Sequence, residues 1–286
     1  MPKLIKESTR HYLENAPLPS HGDTYTVIPH RDVIENTLNM LNASGFKVQR
    51  ELYRANVNAN VAQGVYHITP SNPIDDKIRT ESELGMMFAW TNSYDKSTRF
   101  QCAIGGYVMV CYNGMVAGDM MSFARKHTGS ADYEIRMQIS NQIKNAEKYY
   151  KRIIDDRDNL RKVDLTMKEQ AELLGRLYAQ EEILDVSQLV TVKEEMIKPS
   201  YDYQADQENA WAFYNHVTHA LKKSHPRSWL SDSQKFHEFI VGDLLGQMGI
   251  ATKDNTEEVE EETPENQLDL FDKEVEVVES DYTFTI

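Results

Sequence analysis

Little in this chain points to secretion, to a membrane or to a familiar catalytic device. It has only two cysteines, Cys102 and Cys111. Neither has metal-ligand spacing to another ligand type. Both fall in predicted strands and read as small core residues, which suits a reducing cytoplasm. No apolar run approaches the ~20 residues that cross a bilayer. The opening MPKLIKESTRHY has no apolar core of a signal peptide. A Gly-rich phosphate loop, a Walker motif, a GxSxG elbow and a Cys/His nucleophile pair are all missing. The many carboxylates are not paired by any spacing. The expectation is a non-enzyme with no catalytic residues, no cofactor and no metal.

Positive charge is also scarce: the net charge is −14. Its distribution says more than its sum. From Lys253 to the C-terminal Ile286 there are 13 acidic and 2 basic residues, net −11, so residues 1–252 carry only −3. A near-neutral body followed by a strongly acidic segment suggests a separate interaction tail. Hydrophobic residues make up 40% of the chain, enough for a globular body with a real core.

What the sequence does have is alternation. Met86, Phe88 and Trp90 share one face of a predicted strand, and Met87, Ala89 and Thr91 the other. Phe100, Cys102 and Ile104 repeat the pattern, as do Tyr107, Met109 and Cys111. Period-two alternation predicts strands with one face buried. Gly105-Gly106 interrupts it, as a bulge or bend would, and Asn113-Gly114 is a turn signal. Upstream, a helix is expected over 31–43, then a strand that begins with Phe46 and Val48, and a second strand over 57–68. Residues 69–83 read as a polar loop. After Gly129, Ile135, Ile139, Ile143, Ala146, Tyr150 and Ile153 recur at helical spacing. Thr166 and Glu169 form a capping-box pattern. A short element is expected around 187–197, and further helices over 206–223 and 233–248. The predicted class is α+β: an antiparallel sheet in the first half, long helices in the second, and a disordered acidic C-terminal tail. The expected organisation is an irregular arm over 1–29, a domain over 30–250 and the tail over 251–286.

Several segments in order carry a resemblance: Asn92-Ser93-Tyr94-Asp95, Cys111 to Val116, Arg125 to Gly129, Trp211 to Thr218, and Leu221-Lys222-Lys223. Together they resemble a phage- and plasmid-borne family known as domain of unknown function 932, over roughly residues 30 to 245. The resemblance implies a phage-like accessory protein in a bacterial host. It brings no mechanism that transfers residue by residue.

Three constellations bear on function. The first is basic: Lys144, Lys148, Lys151 and Arg152 recur at helical spacing, flanked by Arg125, Lys126 and His127. Such a row neutralises successive phosphates, and Tyr149 beside it offers a ring for a base. The bland alternative is a solvated helix face. The second is His216 and His219, three apart on one helix. With no third ligand evident, they read as a structural pair. The third is Gln267-Leu268-Asp269-Leu270-Phe271 in the acidic tail. It is similar to the short peptide by which bacterial polymerases and repair proteins dock on the sliding clamp. Leu270 and Phe271 would fill an apolar pocket while Gln267 bonds at its rim. The end of the tail, Ser280 to Ile286, loosely resembles the C-terminal arm of single-stranded-DNA-binding proteins.

The reading that follows is an accessory protein of DNA replication or recombination. It binds single-stranded DNA, with annealing as an extension, docks on the host sliding clamp and has no membrane partner. Self-association is left open. The alternative is a non-enzymatic regulator that acts on a host machine without touching DNA.

Overall fold

The computed structural model describes residues 5–19, 27–116, 131–201 and 208–245. Among them six strands form one antiparallel sheet in chain order: β1 (Ile5–Ser8), β2 (Phe46–Asn56), β3 (Val61–Pro70), β4 (Leu84–Ser93), β5 (Gln101–Val108) and β6 (Gly114–Val116). Three helices lie within this first half: α1 (Arg10–Glu14), α2 (His30–Ala43) and α3 (Asp76–Thr80). The second half is helical: α4 (Ala131–Lys144), α5 (Ala146–Leu160), α6 (Met167–Ala179), α7 (Val186–Ile197), α8 (Ala210–Leu221) and α9 (Trp229–Ile240), closed by a π-helical turn over Val241–Leu245. The α+β class and its order hold. The capping box holds too: the Thr166 hydroxyl accepts from the Glu169 N–H, and the Glu169 carboxylate accepts from the Thr166 N–H. No described helix is long and apolar enough to cross a membrane. The acidic tail, 251–286, lies outside the described residues.

Alternation sorts the strand residues onto two faces. Tyr66 and Ile68, Met86, Phe88 and Trp90, and Cys102 and Ile104 point to one side. There they form the main core with Val33 and Ile34 of α2, Ile139 of α4 and Ile153 of α5. The expectation of a single buried face needs correcting. Met87 and Ala89, Ala103 and Val116 pack on the other side under Trp229 and Leu230 of α9. The cover comes from the far end of the domain, at a separation no local period reports.

Other expectations shift for identifiable reasons. The arm before residue 30 is not wholly irregular, because β1 pairs antiparallel with β2 and α1 follows, capped by Thr9. Pairing with a neighbour orders a segment whose own propensity is weak. Val57 to Asn60 is a turn, not strand, and Ala59 adopts φ 52° there. Cys111 is buried, but in the turn before β6. Gly105 and Gly106 make no bulge, since the register with Met87 and Met86 runs straight through them. They are small because of close approach: a Cβ on Gly105 would lie 2.3 Å from the Met115 carbonyl oxygen. The true bulge is at Gln49, where the β2–β3 register slips between Val48 and Arg50.

Candidate functional site

The apolar line Ile135, Ile139, Ile143, Ala146, Tyr150 and Ile153 buries one side of α4 and α5, as its spacing predicts. The opposite side carries the basic row. Lys144 and Lys148 are exposed. The Arg152 side chain is 61% exposed and lies 3.9 Å from Asp156. Lys151 is committed elsewhere: its Nζ lies 2.5 Å from Asp75 Oδ2, which ties α5 to the segment capping α3. Tyr149 is half-buried against the main core, so its ring is held in packing. The row that reaches solvent is therefore Lys144, Lys148 and Arg152. Lys148 and Arg152 are four residues apart on α5, about 6 Å along its axis, close to the spacing of phosphates in an extended strand; Lys144 is the last residue of α4, just before it.

Behind the row, His237 Nε2 lies 3.1 Å from Asp156 Oδ2, and His237 Nδ1 3.1 Å from the Tyr214 hydroxyl. A carboxylate only accepts, so Nε2–H donates to Asp156. Tyr214 is fully buried and Asp156 and His237 nearly so. This chain ties α5, α8 and α9 together and has no side open to a substrate.

The helix α8 holds the histidine pair. His219 Nε2 is 3.6 Å from Glu195 Oε1 of α7, and Glu195 also accepts from the Ser200 N–H. Burial pushes the His216 imidazole down to about 4, and burial lowers His219 too, so both rings are neutral at neutral pH. The Nδ1 atoms of both are buried and have no hydrogen-bond partner among the described residues. Among the described residues no group of three His, Cys, Asp or Glu is placed to hold a metal ion.

The same helix pins the turn between β5 and β6. Lys222 donates to the Cys111 carbonyl, and Asn113 Nδ2 lies 3.1 Å from both oxygens of Asn215. Arg54 of β2 donates to the Lys222 carbonyl from 2.6 Å. Segments a hundred residues apart thus form one unit. Residues 17–263 match the profile of a domain of unknown function (DUF932). The chain belongs to this family. No curated protein and no solved structure gives a match.

In this DUF932 chain the segments that carried the resemblance have distinct roles. Asn92 and Tyr94 hold the entry to α2. The Tyr94 hydroxyl accepts from the His30 N–H at 2.7 Å, its ring stacks on His30 at 3.9 Å, and Asn92 donates to the Ile28 carbonyl. Burial drives His30 down to about 4. Cys111 to Val116 meets Trp211 to Lys223 as described. Arg125, Lys126 and His127 lie outside the described residues, as do Gln267, Leu268, Asp269, Leu270 and Phe271.

Sequence reasoning passed over one DUF932 feature on the α9 side of the sheet. His67 and Tyr107 stack at 3.8 Å, and Tyr112 lies nearly parallel to both at 5.5 and 5.9 Å. The Arg50 guanidinium sits 5.1 Å from the centre of the Tyr112 ring. No local pattern joins these four residues; only pairing of β2, β3 and β5 does. The available signal was an aromatic residue set in a turn of Cys, Asn and Gly.

Proposed function

We propose that this protein is a phage or plasmid accessory factor of DNA replication or recombination. Its body binds single-stranded DNA, and its acidic tail docks on the host sliding clamp. The observation that carries the DNA reading is the solvent-facing row of Lys144, Lys148 and Arg152 on a body whose charge is near balance. Three cations in line gain by counterion release along one strand.

The triple variant Lys144→Gln, Lys148→Gln, Arg152→Gln should weaken binding to an oligo-dT. The slope of log K against log salt should fall by roughly 2, at about 0.7 for each phosphate that is no longer neutralised. Lys151→Gln should leave that slope unchanged, because its charge serves Asp75. Equal slopes in the triple variant and the parent would reject this row.

The clamp reading rests on Leu270 and Phe271. An apolar anchor in a partner's pocket is commonly worth ~2 kcal/mol or more. A short peptide that is ordered on docking gives up part of that gain, so an affinity on the order of micromolar is expected. Titration with purified host clamp should detect the parent, and Leu270→Ala with Phe271→Ala should abolish the signal without changing the melting transition. Undiminished binding by that variant removes the clamp from the reading.

A second reading, a regulator that works by protein contact alone, draws on α7. Val186, Val190 and Ile197 are 61%, 46% and 74% exposed at helical spacing, an apolar line with no cover among the described residues. Failure of the parent to bind any oligonucleotide would favour it.

A further inference from the structure

Four separate features build the ring cluster on the α9 side of the sheet. The bulge at Gln49 is the first. Lys47 pairs with Thr69 and Arg50 with His67, so one extra residue lies between two positions that face the same way. Without that residue Arg50 would turn to the main-core face; with it, Lys47 and Arg50 fall on the same face of the sheet, Arg50 opposite His67. The second is Gly85, which is paired with Tyr107. A Cβ there would lie 2.3 Å from the Tyr107 ring, so the glycine leaves the hollow in which that ring lies flat.

Tyr112 is the third. It adopts φ 56°, a left-handed conformation that costs a bulky residue free energy and that Asn or Gly would take more easily. Asn113 and Gly114 follow directly, yet the tyrosine occupies the strained position. The fourth is the anchoring of its neighbours. Cys111 is fixed by Lys222 and Asn113 by Asn215, and the Tyr112 N–H donates to the Val108 carbonyl at 2.7 Å. The ring is thus held rigidly outward and is 49% exposed. Beside it Met109 and Val110 are 39% and 65% exposed.

A strained, rigid, half-exposed ring backed by two others has no role in the core, because the packed interior ends beneath it at His67, which is itself buried. Burial, helped by the nearby Arg50 charge, pushes His67 down to about 4, so it stacks as a neutral ring. Lys47 and Arg50 are exposed and form no ion pair among the described residues. A flat ring surface with the Arg50 guanidinium against it and an exposed lysine on the same face is complementary to a ligand with a flat unsaturated ring and a nearby anion, the combination a nucleotide presents.

We propose that Tyr112, backed by His67 and Tyr107 and rimmed by Lys47 and Arg50, is a stacking platform for a base of single-stranded DNA. The proposal rests on the DNA reading above and places a second contact on the opposite side of the sheet from the α5 row. Ile153 of α5 packs on Gly106 on one side, whereas the platform lies on the other, with Tyr107. Stacking tolerates any base, because every base has a π-face, and the rim cations contact the adjoining phosphates.

Two probes test this: an oligo-dT and an abasic strand of equal length. Tyr112→Asn removes the ring but keeps a residue that tolerates the left-handed conformation, so it should fold as the parent does. It should bind oligo-dT about tenfold more weakly, with an unchanged salt slope. Tyr112→Phe should stay within about twofold, since the stacking face is kept. On the abasic strand, parent and Tyr112→Asn should bind alike. Arg50→Gln should lower the salt slope by about 0.7. Equal binding of oligo-dT by parent and Tyr112→Asn overturns the platform while leaving DNA binding intact. A loss in Tyr112→Asn that is equally large on the abasic strand also overturns it. A parent that binds neither strand removes both readings.

Discussion

Replacing Glu81 by alanine should lower the thermal midpoint by on the order of 10 °C. Arg157 Nη1 and Nη2 reach Glu81 Oε1 and Oε2 at 2.9 and 2.8 Å, a bidentate pair. The two side chains are 8% and 6% exposed. Removing one partner of a buried pair costs about 3–5 kcal/mol, and the lower end applies here because Asp158 at 2.9 Å and Glu83 at 3.5 Å still face Arg157. For a domain of this size each kcal/mol shifts the midpoint by roughly 2–4 °C. Replacing both residues by methionine should cost far less, because no buried charge is left behind.

The pair also predicts a pH dependence. Burial alone would raise the Glu81 carboxyl; hydrogen bonds from Arg157 and from the Glu83 and Leu84 N–H groups reverse this and hold it below its ordinary value. A depressed carboxylate contributes its stability above its unfolded value, about 4.3. That contribution is lost as pH falls through the lower folded value. The gap in midpoint between parent and Glu81→Ala should be constant above about pH 5 and narrow below about pH 4. A gap that stays constant down to about pH 3 would mean that Glu81 acts through packing, not charge.

Gly105→Val should be the other severe change. A Cβ at this position would lie 2.3 Å from the Met115 carbonyl oxygen and 2.6 Å from Met87 Cε. The methionine tip can swing away, but the carbonyl belongs to β6, which is fixed by its own pairing with Gly105 and Gly106. Relief requires β6 to shift, and with it the turn anchored to α8. Overpacking of this kind costs on the order of 3 kcal/mol. Gly175→Ala is the internal comparison: it lies inside α6 with nothing within 4 Å of a Cβ, and should add roughly 0.5–1 kcal/mol. Denaturant midpoints that do not separate these two variants in opposite directions would show that β6 is free to yield.

Most of the framework was legible because it rests on short-range periodicity. The line from Ile135 to Ile153 and the Thr166 cap depend on residues three or four apart. What escaped depends on partners far away in sequence. The second buried face needs Trp229, the pairing that hides Lys151 needs Asp75, and the ring cluster needs β2, β3 and β5 in register. Gly105-Gly106 misled because small residues signal both a bend and a close approach, and only the neighbour across the ladder distinguishes them. The basic row was visible, but its charge balance was not, since the neutralising carboxylate comes from another element.

The order of the strands has a consequence for how the protein is made. Each strand pairs with the one synthesised just before it, so the sheet can assemble hairpin by hairpin as the chain leaves the ribosome. The cover for Met87, Ala89, Ala103 and Val116 is Trp229 and Leu230, more than 110 residues downstream of the last strand. At typical elongation rates of about 5–20 residues per second, that patch stays uncovered for roughly 5–25 s. During this interval α4 and α5 emerge and can cover the main-core face, while the other apolar face of the finished sheet stays bare. Its yield in the cell is therefore governed by what meets that face before α9 arrives: chaperone, neighbouring chain, or nothing.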